Sequence, residues 1–129
     1  MAEEILFVDD EKYILDIAQQ IFAERNITIL TALSADEALE IIRKHEIAVL
    51  VSDNHMPGMK GIDLLSRVKV LSPDTVKILM TGFADLETAL DAINRVEVFR
   101  FIVKPWENTQ LVFVANADTS FGEKTLKNF

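Results

Sequence analysis

Cysteine is absent from this chain of 129 residues, which excludes disulfides, thiolate metal sites and thiol catalysis. Glycine and proline are few, four and three residues, and no glycine-rich or Walker-type loop is present to cradle a nucleotide phosphate. No apolar run approaches transmembrane length. The opening Met1-Ala2-Glu3-Glu4 is acidic and leads into only four apolar residues, which speaks against a secretory signal. The expectation is a soluble, cytoplasmic protein with no membrane role. Positive charge is also in deficit: 13 Lys and Arg stand against 21 Asp and Glu, a net charge of -8 that repels nucleic-acid phosphates. Direct nucleic-acid binding is not expected, and a DNA-related role would need a second domain or a partner. Internal repeats, low-complexity tracts and mid-chain linkers are missing as well, so residues 1–129 read as a single domain.

What is present is a repeated pattern: a short apolar run, an abrupt polar end, then helical spacing. Ile5-Leu6-Phe7-Val8 ends in Asp9-Asp10-Glu11, and Ile47 to Val51 ends in Ser52-Asp53 and the turn residues through Pro57, Gly58 and Gly61. Such runs read as buried strands. Ile27 to Ala32 is β-branched and reads as a strand; Val76 to Met80, ending in Thr81-Gly82, and Val98 to Val103, ending in Lys104-Pro105, complete five.

Between the strands, Ile14, Leu15, Ile17, Ala18, Ile21 and Phe22 recur at helical spacing, fading near Asn26. Ser34-Ala35-Asp36-Glu37 has the form of a capping box ahead of a helix ending around His45. Ile62, Leu64, Leu65, Val68 and Leu71 mark a third helix stopped by Ser72-Pro73-Asp74, and Leu86, Ala89, Leu90 and Ile93 a fourth. A last helix begins after Asn108 with Leu111, Val114 and Ala115. Strand–helix alternation implies an α/β fold, a doubly wound, flavodoxin-like five-stranded parallel sheet of order 2-1-3-4-5 with helices on both faces.

In that order the chain reverses between strands 1 and 3, whose ends carry Asp9-Asp10 and Asp53. Ligands bind at such a switch point. Asp53 there is a metal ligand, a nucleophile, or both. Three converging carboxylates repel one another unless a cation sits among them. Oxygen donors without a His or Cys cluster suit a hard ion such as Mg²⁺. Lys104 adds a fixed positive charge on the same edge, and Thr81 a hydroxyl. This is a set suited to phosphoryl transfer, where charge stabilisation and in-line positioning supply most of the catalysis.

Taken in order, Val8-Asp9-Asp10-Glu11, Asp53-Asn54-His55-Met56-Pro57-Gly58, Thr81-Gly82 and Lys104-Pro105 resemble the receiver domains of two-component response regulators. The resemblance runs up to the last helix. It implies that Asp53 accepts a phosphoryl group from a sensor histidine kinase or phosphotransfer protein, and that the domain is a switch rather than a metabolic enzyme. It further implies that Asp10 binds Mg²⁺ directly, Asp9 mainly through water, and Asp53 and the backbone carbonyl of His55 complete the protein ligands. Lys104 and Thr81 would contact the phosphoryl oxygens. Thr81 and Phe101 would act as the switch pair, the Lys104-Pro105 peptide would be cis, and His55 and Phe83 would flank the approach of hydrolytic water. Homodimerisation through helix 4, strand 5 and helix 5 is a further implication. The segment from Val98 to Trp106 is most similar to receivers that precede a sigma-54-type ATPase activator or a cyclic-dinucleotide phosphodiesterase.

Plainer roles stand beside these. Either Asp9 or Asp10 can cap the first helix, Thr81 can be a capping hydroxyl and Phe101 core. His45 and His55 lack metal-site spacing and read as surface residues, and Trp106 as packing at the base of the last helix. A Mg²⁺-dependent phosphohydrolase with an aspartyl nucleophile is the main rival function. It calls for a second acid two places after the nucleophile, where His55 stands. A flavin- or nucleotide-binding module would need the phosphate loop that is missing.

Overall fold

A computed structural model describes residues 3–23, 27–82, 87, 90 and 100–103. Its elements run β1 (Glu3–Val8), α1 (Lys12–Ile21), β2 (Ile27–Ala32), α2 (Ala35–Lys44), β3 (Val49–Asp53), α3 (Gly61–Leu71), β4 (Val76–Thr81) and β5 (Arg100–Val103). The five strands form one sheet of order β2-β1-β3-β4-β5, and every adjacent pair is parallel. Glu87 and Leu90 are helical; the rest of the fourth helix expected around them, the helix after Asn108, and Trp106 lie outside the described residues.

Side chains alternate across a strand, so each strand feeds two cores. On one face Leu6, Val8, Leu50 and Leu79 pack with Ala38, Leu39 and Ile42 of α2 and Leu64, Leu65 and Val68 of α3. On the other, Ile5, Phe7, Val49, Val51, Ile78, Met80 and Ile102 pack with Leu15, Ala18 and Phe22. The rings of Phe7 and Phe22 lie 6.2 Å apart, tilted by 41°. Helices therefore cover both faces of a sheet whose central strand is buried along its whole length.

Several boundaries differ from the pattern in the sequence. α1 ends at Ile21: Phe22 N–H still makes the i→i−4 bond to the Ala18 carbonyl, and Ala23 N–H closes a tighter i→i−3 turn on Gln20. Its buried stripe is narrower than the spacing suggests, since Ile17 is exposed. β3 lies two residues further along than Ile47 to Val51. The Thr75 hydroxyl donates to the Ile47 carbonyl at 2.7 Å, which occupies that residue ahead of the ladder, and Asp53 itself pairs with Met80. Ser34 does cap α2, accepting from Glu37 N–H at 3.2 Å, but Glu37 reaches back to Leu33 N–H at 2.9 Å and not to that of Ser34. Leu71, at the end of the α3 stripe, is exposed. Lys77 is buried within β4, its ammonium donating to the Thr75 carbonyl at 3.1 Å. His45 closes α2 at the surface and pairs through Nδ1 with Glu4 at 3.2 Å, tying the helix end to the start of β1.

Candidate functional site

Parallel strands point their carboxyl ends to one edge, and here that edge collects the acids. Asp9 follows β1 directly, Asp10 is next, and Asp53 is the last residue of β3. One oxygen from each of the three lies within 4.8 Å of the others. Asp9 and Asp53 are buried, at 0% and 4% exposure, while Asp10 is open to solvent. Burying carboxylates is costly unless compensating charge or donors are close. The oxygen-only donor set, with one exposed member, fits a hard divalent cation that keeps part of its water shell.

Asp9 also shapes the entry to the first helix. Its Oδ1 accepts from Glu11 N–H at 3.0 Å, an Asx-type turn leading into α1, while the carboxylate stays in the acidic cluster. Its own N–H donates to the Ala32 carbonyl at 3.1 Å. Glu11, at the N-cap of α1, makes no side-chain cap, and the Asp9 turn supplies a side-chain bond at the helix entry.

β4 brings the next residue to the same edge. Asp53 pairs with Met80, so Thr81 stands one residue beyond that pairing, buried at 1% exposure. Its hydroxyl donates to the Gly82 carbonyl at 3.3 Å. Thr81 pairs with Val103, the last residue of β5, and Phe101 pairs with Leu79. Lys104 follows Val103 in the sequence but, with Pro105 and Phe83, lies outside the described residues. His55 is exposed on the loop after β3, as its lack of metal-site spacing suggested.

That loop is shaped by two glycines. Gly58 holds φ +79°, a left-handed conformation that side chains resist. Gly61 opens α3 against the end of β3: a Cβ there would overlap the Asp53 carbonyl oxygen and come within 2.9 Å of Asn54 Cα. Close approach of helix and strand therefore requires glycine at 61.

Asn54 is a residue whose part at this edge the sequence did not announce. It is buried, and its Oδ1 accepts from Ile62 N–H in the first turn of α3 at 3.2 Å. The available signal was Lys60, at the N-cap position, which offers no acceptor and so requires one from elsewhere.

Residues 5–116 match the family of the response regulator receiver domain. The chain belongs to that family. Phosphoryl acceptance is the family's general function, and its members interact with histidine kinases and output domains. The chain is 32% identical to the hydrogenase transcriptional regulatory protein HoxA of Cupriavidus necator over 84% of its own length, and spans only 22% of that regulator. It is 32% identical to sporulation initiation phosphotransferase F of Bacillus subtilis, over 67% of this chain and 70% of that one. Among solved structures, the signal receiver domain of an HD domain-containing protein from Pseudomonas fluorescens Pf-5 superposes with a TM-score of 0.86 at 32% identity. The match covers 96% of this chain and 99% of that one. The flavodoxin-like receiver fold is thus shared. Among the described residues of this receiver domain, no helix is long and apolar enough to cross a membrane.

Proposed function

We propose that this receiver domain accepts a phosphoryl group on Asp53 from a phosphohistidine of a sensor kinase or phosphotransfer protein. The observation that carries the reading is the convergence of Asp9, Asp10 and Asp53 within 4.8 Å at the carboxyl edge of the sheet. Asp9, Asp10, Asp53 and the carbonyl of His55 would hold Mg²⁺, which when bound supplies positive charge against the phosphoryl oxygens.

The carboxylate oxygen of Asp53 forms the new bond to phosphorus as the bond from phosphorus to the donor imidazole nitrogen breaks, and that nitrogen takes up a proton. Burial of Asp53 at the end of a central strand supports a single direction of attack in this reading. Lys104 is assigned to the phosphoryl oxygens, and Thr81 to a hydrogen bond with one of them. Its present acceptor, the Gly82 carbonyl at 3.3 Å, is a weak competitor. Phe101, opposite Leu79 in β5, is assigned the aromatic half of the switch, and the face of helix 4, β5 and helix 5 the output and dimer surface. His55 and Phe83 are assigned to water access. Residues 1–129 act as one receiver unit in this reading, working in the cytoplasm as a switch and not as a turnover enzyme.

Incubation with acetyl phosphate tests the reading. Acid-stable phosphoryl incorporation is expected with Mg²⁺ and lost on chelation, and Asp10→Asn should raise the Mg²⁺ requirement sharply. Incorporation indifferent to both would reject the acidic cluster as the metal site.

A further inference from the structure

The peptide link after Asp53 is held from several directions. Ser52 Oγ donates to the Asp53 carbonyl at 3.0 Å. Asn54 N–H donates across the sheet to the Met80 carbonyl at 2.8 Å, and the Asn54 carbonyl accepts from Gly61 N–H at 3.1 Å. The side chain adds a fourth bond, Oδ1 accepting from Ile62 N–H at 3.2 Å. Asn54 is 8% exposed, a burial that costs free energy unless its polar atoms are used.

These bonds close a loop of known contents. Lys60 gives α3 no side-chain cap, so Asn54 supplies the acceptor that a helix start needs, from eight residues upstream. Residues 55–60 are thereby pinned at both ends by one residue, through main chain to Gly61 and through side chain to Ile62. His55 is the first residue of that loop and its side chain is exposed. Its backbone is located by its neighbours, Asn54 on one side and the buried Met56 on the other.

We propose that Asn54 is a positioning residue for the acidic site: by capping α3 with its side-chain amide it sets where the His55 carbonyl stands relative to Asp53. The proposal rests on the reading above in taking that carbonyl as a metal ligand. An apolar side chain at 54 would leave the Ile62 amide unmet and free the loop to drift from the carboxylates. Groups that orient a metal's ligands commonly govern affinity about tenfold or more.

The test compares the parent with Asn54→Ala and Asn54→Asp by metal-free amide exchange, Mg²⁺ calorimetry and phosphoryl incorporation. In Asn54→Ala the Ile62 amide should exchange faster and the Mg²⁺ Kd should rise about tenfold. Incorporation should return toward the parent rate at saturating Mg²⁺, because the loss lies in binding and not in the transfer itself. Asn54→Asp keeps the acceptor, so Ile62 protection should return. Its added charge makes exchange, not Mg²⁺ affinity, the informative readout. Should Asn54→Ala fail to fold, Asn54→Ser, which lacks the Oδ1 acceptor, answers the same questions.

Unchanged Ile62 exchange would overturn the cap. Faster exchange with parental Mg²⁺ affinity would reduce Asn54 to a structural role and overturn the proposal. A parent protein that binds no Mg²⁺ would instead reject the site reading itself, and this proposal with it, an outcome visible before any variant is made.

Discussion

Asp53 and Met80 are register partners at the carboxyl ends of β3 and β4, and the Met80 carbonyl also receives the N–H of Asn54. The pairing places the proposed acceptor and the hydroxyl of Thr81 on adjacent strands, one residue out of step. A phosphoryl group on Asp53 would extend the carboxylate beyond the strand end, toward the level of Thr81. The sheet register thus brings the proposed acceptor and the Thr81 hydroxyl to one edge without help from a loop.

Thr81→Ala should still accept phosphate but lose most of the structural response. The hydrogen bond at stake, to a charged oxygen, is worth roughly 1.5–3 kcal/mol, enough to bias a near-balanced equilibrium. Amide chemical-shift changes on adding beryllofluoride should shrink around β4 and β5 in the variant. Equal changes in variant and parent would break the link between Thr81 and the switch.

Gly61→Ala should be destabilising despite its small size. The added carbon would come within 2.8 Å of the Asp53 carbonyl carbon and 2.9 Å of Asn54 Cα, both main-chain atoms that cannot turn aside. A loss of about 1–3 kcal/mol in urea unfolding is expected from such overpacking. Weaker Mg²⁺ binding should accompany it, because α3 has to move off the strand that carries Asp53. Parental stability would contradict the close approach.

Phe22→Ala separates core from site. Phe22 is buried against Phe7 on the face of the sheet covered by α1. Removing the ring should cost about 3–5 kcal/mol of stability. Mg²⁺ affinity measured well below the melting transition should stay at the parental value, since the carboxylates are held by strand ends. A parallel fall in both would show that α1 packing reaches the acidic edge.

Phosphoryl lifetime should depend on Phe83. Hydrolysis needs a water in line with the scissile bond. Phe83, two places after Thr81, offers that water no hydrogen bond, while His55, two after Asp53, can orient one. Exclusion is expected to dominate, so Phe83→Ala should lose phosphate faster in an acid-quenched time course. Equal decay would remove Phe83 from the water path.

Much of this architecture is legible in the residues themselves. β2 occupies Ile27–Ala32 as its β-branched run implies, and Ser34 caps α2 as the S-x-x-E pattern implies. The acidic edge is legible for the same reason. Three acids at the ends of two strands need only the 2-1-3-4-5 order to meet, and that order is the natural one among the few topologies that strand–helix alternation and right-handed crossovers leave. What escapes is set by tertiary contacts. The start of β3 shifts because Thr75, 28 residues away, takes the Ile47 carbonyl. Asn54 reads as one more turn residue, because its partner Ile62 is met only once α3 folds back on the strand.

The central claim is that Asp53 carries the phosphoryl group, and site mapping tests it most directly. After reaction with acetyl phosphate and Mg²⁺, borohydride trapping of acyl phosphates and peptide mass spectrometry should place a single modification at Asp53. Asp53→Asn should show none. Modification at Asp9, Asp10 or any other carboxylate of the parent, or undiminished labelling of Asp53→Asn, would contradict the account.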